Sequence, residues 1–322
     1  METTPFRHPT SSKEAGRFLR LVAVAAIPCL LSGVHRFGLR VLVMLAVAWV
    51  VGAAAEYGVD ALRRRRSPKS FITMGLLFVL ILPPGLPFWM VALGMAFAIL
   101  VGKEVFGGTG CQVFSPPLLG RGFLMLSYPA VMTGAYVVPG EGIWGMAGRY
   151  FGVSGTEGLI RTTPLVLVRQ GEATPIAKLL WGGAAGCVGE TAALAILIGG
   201  TFLLVLRVID WRIVVGTLGS FLLLEVLLGP VPGGASLPVG WHVLAGGGLF
   251  GTFFLATDPV TCPASAVGRL AFGVLVGASA MVLRRFATCP DDAGVAILLG
   301  NMLVPFLNLL GRHRREQDGK DV

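Results

Sequence analysis

Four acidic side chains stand inside strongly apolar stretches of this sequence, where a charge is costly. They are Glu104, Glu190, Glu225 and Asp258. An ionisable group at membrane depth costs roughly 2.5–3.5 kcal/mol on insertion scales, so it normally faces a partner, water or an ion. These residues are therefore our candidates for an ion pathway, and their chemistry would be cation binding or proton relay.

The surroundings of Asp258 favour such a role. In "FLATDPVTCPASAVGR" (254–269) it is followed by Pro259, which has no backbone N–H to donate and so frees a carbonyl group. The hydroxyl groups of Thr257 and Thr261 stand beside it. An oxygen-rich break of this kind suits a hard cation or a proton relay.

The other three acids have a second interpretation each. Glu104 follows Lys103, so the two could form a local ion pair. Glu190 precedes "TAALAILIGG" and could cap the N-terminal end of a half-helix. Glu225, in "FLLLEVLLGP", has no neighbouring base and could lie near the outer surface. The sequence leaves these alternatives open.

The elements that position these residues are membrane helices. The chain has 322 residues, of which 54% are hydrophobic and 13% charged, and its mean hydropathy is +0.78. A soluble domain of this length cannot hide so much apolar surface, and the apolar runs are continuous rather than alternating. The sequence predicts an all-α membrane protein with about ten spans, at 18–34, 38–56, 70–86, 87–103, 118–137, 179–207, 211–229, 238–257, 267–284 and 291–311.

Several spans are predicted to be broken helices. "LPPGLP" (82–87), "GGAAGCVGE" (182–190) and "AGGGLFG" (245–251) interrupt them. Unwound backbone is tolerated at membrane depth only where protein or a cavity surrounds it. A similarity between "FGGTGCQVFSPPLLGR" (106–121) and "FLATDPVTCPASAVGR" (254–269) is typical of the paired breaks of a two-fold internal repeat, with chance as the alternative.

Lysine and arginine predict the orientation. With the amino terminus in the cytoplasm, 18 basic residues lie inside and 8 outside, so both termini are predicted to be cytoplasmic. The predicted organisation is a tail at 1–16, five helices within 17–137, an external loop at 138–178, five helices within 179–311 and a tail at 312–322. The net charge of +9 then reflects topology and acidic lipid, and no nucleic-acid partner is predicted.

Metal and hydrolytic chemistry find no support in the sequence. The five cysteines are far apart and form no CxxC pair, so neither a disulfide framework nor a metal site built by this chain alone is predicted. No Ser-His-Asp set, Walker loop or pair of catalytic carboxylates emerges. No catalytic residue is therefore assigned.

Four sequence blocks together resemble a known family. They are "LPPGLPFWMVALGMAFAILVGKEVFGGTGCQVFSPPLLGRGFLMLSYPA" (82–130), "GGAAGCVGETAALAILIGG" (182–200), "FGTFFLATDPVTCPASAVGRLAFGVLVG" (250–277) and "CPDDAGVAILLGNMLVPFLN" (289–308). In this order they resemble the RnfD/NqrB family, and the length is closer to RnfD. The resemblance implies a ten-helix subunit, similar in fold to urea transporters, in a redox-driven Na⁺ or H⁺ pump of the bacterial inner membrane. Such a subunit of a ferredoxin:NAD⁺-type oxidoreductase works with other subunits and has no catalysis alone.

The resemblance also implies a covalent FMN. In the family, a flavin transferase attaches FMN through a phosphoester bond to a threonine of the external loop. The best match is "EGLIRTTPL" (157–165), which places Thr163 at the acceptor position, with Arg161 where the family has glycine. Arg161 could offset phosphate charge. Thr174 in "GEATPI" is the runner-up acceptor.

Three further residues are assigned by the same resemblance. Ser115 in "FSPPLLGR" stands where the family has asparagine, in a region associated with a noncovalent flavin similar to riboflavin. Glu104 and Asp258 match acidic positions linked to cation uptake. The alternative function is a flavin-free paralogue that acts as a small-solute channel or transporter, or as a structural membrane partner, and the altered residues around Thr163 and at Ser115 favour it.

Overall fold

A computed structural model describes residues 12–64, 69–137, 139, 164–169, 172, 174–229, 237–287 and 291–318. The first half of the described chain contains α1 (Ser12–Ala25), α2 (Ile27–Phe37), α3 (Arg40–Arg63), α4 (Phe71–Leu80), α5 (Phe88–Ile99), the π-helix π1 (Leu100–Glu104), α6 (Pro116–Ser127) and α7 (Pro129–Gly134). The second half contains α8 (Pro164–Arg169), α9 (Ile176–Trp181), α10 (Ala193–Val205), α11 (Trp211–Leu228), α12 (Trp241–Leu244), α13 (Gly248–Phe250), the π-helix π2 (Gly251–Leu255), α14 (Ala266–Phe286) and α15 (Asp292–Asp318).

The architecture is that of a multi-pass helical membrane protein, as predicted. Within the described residues, four helices are long and apolar enough to cross a bilayer, namely Arg40–Arg63, Trp211–Leu228, Ala266–Phe286 and Asp292–Leu309. The helices Gly16–Ala25 and Ile27–Phe37 pass the same test only together, with a bend of 40° between them, and would be a fifth span if the pair is counted as one. Large apolar side chains such as Val50, Leu223 and Leu227 face outward, as expected of a surface in contact with lipid.

The predicted breaks are present, and they make several spans shorter than the sequence suggested. Helix α4 ends at Leu80 and α5 begins at Phe88, so "LPPGLP" lies between two helices. In the predicted span 179–207, residues 183–192 are not helical, and the long apolar helix α10 begins only at Ala193. The predicted span 238–257 consists of α12, α13 and π2 rather than one straight helix. Glycine and proline at these breaks explain the difference, because both disfavour continuous helix.

The two similar segments of the sequence have the same local structure. The first segment begins two residues after the π-helix π1, and the second begins within the last two residues of π2. Each leads through a loop into an α-helix, α6 or α14. The two loops meet, because Gln112 Nε2 lies 3.4 Å from Asp258 Oδ2. This shared order of elements supports the two-fold internal repeat over chance similarity.

Helices α11 and α14 pack together closely, and glycine makes the contact possible. Gly216 of α11 and Gly273 of α14 face the partner helix. A methyl group on Gly273 would lie 2.5 Å from the carbonyl oxygen of Ile213, which is closer than side chains approach. Small residues at such crossings let membrane helices approach each other.

A small second core anchors the end of the predicted external loop. Val168 of α8 and Leu179 of α9 are buried with Ala184, Trp241 and Ala245. The indole Nε1 of Trp241 also donates a hydrogen bond to the carbonyl oxygen of Thr174 at 2.9 Å. The described parts of the predicted loop 138–178 therefore pack against α12.

Candidate functional site

Lys103 is completely buried and lies between two carboxylates. Its Nζ is 3.0 Å from Glu56 Oε1 and 3.1 Å from Glu104 Oε1. The backbone N–H groups of Ser70 and Phe71 donate to the two oxygens of Glu56 at 3.2 Å and 3.0 Å. The local ion-pair interpretation of Glu104 is thus confirmed, because Lys103 neutralises the carboxylate.

Sequence reasoning missed Glu56. It stands at the end of a predicted span and beside the basic segment 63–69, so it gave no sign of being buried. The structure places it on α3, with 2% of its surface exposed, opposite the π-helix that carries Lys103 and Glu104. Only the approach of these two elements reveals the pair of acids around one ammonium group.

Arg121 of α6 is the centre of a second buried cluster. Its Nε lies 2.8 Å from Asp291 Oδ2, and its Nη1 lies 3.3 Å from Glu190 Oε1. The same Nη1 donates to the carbonyl oxygen of Ile81 and lies 3.2 Å from Cys187 Sγ. The guanidinium group therefore joins α6 to three separate parts of the chain and contacts two acids.

The capping interpretation of Glu190 is wrong. Helix α10 begins at Ala193, and no side chain caps its first turn. The Glu190 side chain points instead to Arg121, because a buried carboxylate is stabilised far more by an arginine than by the partial charge of a helix end.

Glu190 also lines a small cleft between α8, α9 and the segment 244–247. Pro164, Leu165 and Tyr136 form apolar walls, while Glu190 and Thr191 contribute polar groups. The hydroxyl of Thr191 is buried and has no hydrogen-bond partner among the described residues. Ligand sites typically combine such apolar walls with a few polar groups.

Of the two candidate flavin acceptors, only Thr174 lies within the described residues. Thr163 and Arg161 lie outside the described residues, but Thr163 is bonded to Pro164, which lines the cleft. Thr174 is half-buried, and its backbone carbonyl is engaged by Trp241.

Asp258 lies in the loop between π2 and α14 and has no basic partner in the part of the chain that the structure describes. Its Oδ1 accepts a hydrogen bond from Val260 N at 3.0 Å, and its Oδ2 faces Gln112 Nε2 at 3.4 Å. Gln112, which sequence reasoning missed, comes from the loop between π1 and α6. No sequence signal pointed to it, since polar loop residues are common.

Glu225 and Ser115 complete the predicted set. Glu225 is buried on α11, and its Oε2 accepts a hydrogen bond from Gly240 N at 3.1 Å. Ser115 is buried at the residue before α6, where its carbonyl oxygen accepts from Leu119 N at 3.0 Å. The structure brings neither residue into contact with the other candidates.

Two more buried arginines hold acids in the second half. Arg269 of α14 binds Asp210 with 2.8 Å between Nη1 and Oδ2. Arg284 pairs with Asp292 at the start of α15 and also donates to the carbonyl oxygen of Ala245 at 3.0 Å. Among the described residues, no group of three or more His, Cys, Asp or Glu side chains is arranged to hold a metal ion.

Comparison with known proteins identifies the family. The model of the NQR2, RnfD, RnfE family matches residues 1–316. The chain belongs to this family. It is 35% identical over 292 residues to the B subunit of the Na(+)-translocating NADH-quinone reductase of Azotobacter vinelandii, and the match covers 87% of this chain and 68% of the relative.

Two further family members have nearly the same sequence identity to this chain. The corresponding reductase subunit of Pseudomonas aeruginosa is 34% identical over 317 residues, which is 92% of this chain and 74% of the relative. The D subunit of the ion-translocating oxidoreductase complex of Aeromonas salmonicida is 34% identical over 341 residues, which is 96% of each chain. By length, this chain matches the Aeromonas relative better than the two quinone reductase subunits.

Proposed function

We propose that this chain is an integral membrane subunit of an Rnf-type electron transport complex that moves Na⁺ or H⁺, and that it carries FMN on Thr163. The observation that carries the proposal is the family match along almost the whole chain, with the D subunit of an ion-translocating oxidoreductase complex covered to 96%. Both named groups of relatives are subunits, so other subunits of such a complex are the proposed partners. The proposed location is the inner membrane with both termini in the cytoplasm.

The residues present fit a flavin beside α8. The cleft next to Pro164 combines apolar walls with the polar groups of Glu190 and Thr191, and the buried Thr191 hydroxyl lacks a partner within the described chain. A bound flavin would supply one- and two-electron transfer. Thr163 Oγ1 would form the phosphoester bond through a flavin transferase, and Arg161 would offset the phosphate charge. Pro164 and Leu165 would exclude water from one side of the ring.

The polar end of the cleft would set the local charge. Glu190 faces the cleft, and Arg121 holds its carboxylate at 3.3 Å. Arg121 also holds Asp291, so the guanidinium group fixes the position of Glu190 relative to α15. A fixed charge next to a redox group tunes its potential, which is the contribution that a protein makes to cofactor chemistry.

The ion pathway is proposed to include Glu104 and Asp258. Glu104 is neutralised by Lys103, whereas Asp258 has no basic partner in the described ranges. Glu190 lines the cleft, and Glu225 accepts a hydrogen bond from Gly240 N; a role of either acid in the ion pathway stays a prediction. A riboflavin near Ser115 stays a prediction.

Intact mass tests the tethered flavin. The full chain, coexpressed with a flavin transferase, should carry one FMN-sized adduct and fluoresce in a denaturing gel. Thr163→Val should remove both signals because the acceptor oxygen is lost, and the matched control Thr174→Val should keep them. An unmodified wild-type chain, or an adduct that survives Thr163→Val, would contradict the assignment.

The alternative function makes a different prediction for the same preparations. A flavin-free channel or transporter would carry a small solute across proteoliposomes without any electron donor. Solute flux together with an unmodified mass would favour that alternative.

A further inference from the structure

Two arginines follow the ends of helices in a backbone conformation that usually belongs to glycine. Among the described residues, Arg64 with φ 52° and Arg207 with φ 53° are the only non-glycine residues with positive φ. They follow the C-terminal ends of α3 and α10. The left-handed conformation is costly for a residue with a side chain, whereas a cation elsewhere in the last turn serves the helix dipole equally well. Arginine at both positions therefore indicates a use for an outward positive charge.

The turn after α10 holds the backbone of Arg207 in this conformation. Arg207 N donates to the Leu204 carbonyl at 3.0 Å, and Val208 N donates to the Leu203 carbonyl at 2.9 Å. These two bonds form a Schellman motif, in which glycine is the usual left-handed residue. Arg207 occupies that position and is exposed. The turn therefore presents a guanidinium group at the surface in place of a glycine.

The acid of the same turn is already compensated by another residue. Asp210 is buried, and its Oδ2 lies 2.8 Å from Nη1 of the buried Arg269. Nη1 of Arg212 lies 3.8 Å from this oxygen, which is beyond hydrogen-bond distance, and 37% of the Arg212 side chain is exposed. Arg207 forms no ion pair within the described ranges. Arg207 and Arg212 therefore give the turn an excess of positive charge.

Apolar side chains flank these two arginines. Trp211 is 56% exposed, and Cζ of Arg212 lies 5.4 Å from the centroid of its ring. Val205 and Leu206, at the end of α10, are exposed as well. Tryptophan is enriched where a membrane meets water, because its ring is amphipathic. The turn thus combines cations with an exposed apolar surface at the end of two apolar helices.

We infer that the turn between α10 and α11 binds an anionic phospholipid such as phosphatidylglycerol. Arg207 and Arg212 contact the phosphate, and Trp211 packs along the acyl chains. Arginine suits this role because its planar group can donate two hydrogen bonds to one phosphate. The turn lies on the face proposed to be cytoplasmic, where anionic lipid attracts basic residues next to a membrane helix. The inference goes beyond the proposed function, since the lipid site requires neither a flavin nor a transported ion.

Helix α1 brings a further arginine to the same end of the molecule. A Cβ atom on Gly199 of α10 would meet the carbonyl oxygen of Ala25, the last residue of α1. Helix α2, which follows α1, meets Val188 ahead of α10, so α1 and α10 run antiparallel. Arg17 and Arg207 are each eight residues beyond the contact toward the same end, which is about two helical turns. Arg17 is exposed, and its charge adds to the attraction for an anionic head group.

An acidic segment of a partner subunit is the other ligand with matching charge. The exposed apolar side chains favour the lipid, because Val205, Leu206 and Trp211 lie next to the arginines as acyl chains lie next to a phosphate. A charged protein segment would leave these side chains without an apolar partner. The arrangement therefore fits an amphipathic ligand better than an acidic one.

Quenching of tryptophan fluorescence tests the lipid site. The purified full-length protein, with its copurifying subunits, is titrated in neutral detergent with phosphatidylglycerol brominated on its acyl chains. Phosphatidylcholine with the same brominated chains is the comparison probe. The signal lost in Trp211→Phe isolates the contribution of Trp211. Phosphatidylglycerol should quench this contribution at a several-fold lower concentration than phosphatidylcholine, and about 1 M salt should remove the difference, because it screens charges beyond about 3 Å.

Substitution of the two arginines should weaken the binding of phosphatidylglycerol alone. Arg207→Gly and Arg212→Gln should each lower the apparent affinity about fivefold, and the double variant about 25-fold. The affinity for phosphatidylcholine should not change. Arg207→Gly should also keep or raise the midpoint of thermal unfolding in neutral detergent, because glycine adopts the left-handed conformation without strain. A loss of lipid binding in this variant therefore does not come from misfolding.

Arg36→Gln is the matched control. Arg36 lies at the other end of the α1–α2 pair, where its Nη2 donates to the Trp181 carbonyl at 2.6 Å. This variant should bind phosphatidylglycerol like the wild type. Equal quenching of Trp211 by the two lipids, or an unchanged affinity in the double variant, would overturn the inference. Loss of a copurifying subunit from the double variant, with lipid affinity retained, would assign the arginines to a partner and also overturn it.

Discussion

Single buried bases organise the interior of this protein. Lys103, Arg121, Arg269 and Arg284 are each nearly inaccessible and each contact at least one acid. Breaking such a pair from one side leaves an uncompensated charge, and this costs more than the pair itself contributes. These residues should therefore be sensitive to neutral substitution even though none of them touches a proposed cofactor.

Arg121→Met should reduce the free energy of unfolding by about 3–5 kcal/mol, because Glu190 and Asp291 would lose their shared cation in a buried place. Denaturation in mixed detergent micelles measures this change. Arg212→Met is the matched control, since Arg212 is partly exposed and lies 3.8 Å from Asp210, and it should cost less than about 1 kcal/mol.

A triple variant separates the effect of charge on stability from the effect of side-chain packing. If the loss comes from uncompensated charge, adding Glu190→Gln and Asp291→Asn to Arg121→Met should restore part of the stability. Equal stability of the single and triple variants would show that Arg121 acts mainly through its volume.

At the scale of elements, the breaks in the helices determine where the candidate site residues lie. The loops that follow the two π-helices bring Gln112 and Asp258 together. The glycine contact between α11 and α14 holds the second half firmly enough to present the π2 loop. Rigid scaffolds with irregular loops are a common way to build sites.

Gly273→Ala should destabilise the protein by about 1–3 kcal/mol, because the new methyl group meets the Ile213 carbonyl and forces α11 and α14 apart. Thermal denaturation in detergent measures the effect. Gly219→Ala is the control on α11, since nothing lies within 4 Å of its Cβ position, and it should be neutral or slightly stabilising. A similar loss in both variants would assign the effect to helix glycine in general.

At the scale of the whole molecule, the orientation in the membrane decides which redox partners reach the proposed flavin. The proposal places residues 138–178 outside and the basic segment 63–69 inside. This follows from the distribution of lysine and arginine, which the positive-inside rule connects to topology.

Single cysteines test the orientation. In a chain without its native cysteines, Ser154→Cys should react with a membrane-impermeant maleimide in spheroplasts. Ser67→Cys should react only after permeabilisation. The reverse pattern would invert the topology and move the proposed flavin to the cytoplasmic face.

The sequence by itself determined the helical membrane class, the positions of the breaks and the family. These follow from hydropathy, glycine and proline, which act locally along the chain, and from blocks of residues read in order. It also made Asp258 a candidate ion-pathway residue, a prediction that needs no knowledge of its neighbours because it rests on the energetic cost of an acid in an apolar stretch. The ion pair between Lys103 and Glu104 was predicted correctly, because the two residues are neighbours in the sequence.

Only the tertiary structure decided the partners. Gln112 and Asp258 are 146 residues apart, and Glu56 and Arg121 acquire their roles from helices that approach them in space. The capping interpretation of Glu190 failed for this reason, because the local sequence contained a helix start but no sign of the distant Arg121. Contact between remote segments depends on the packing of the whole bundle, and a pattern along the chain does not encode it residue by residue.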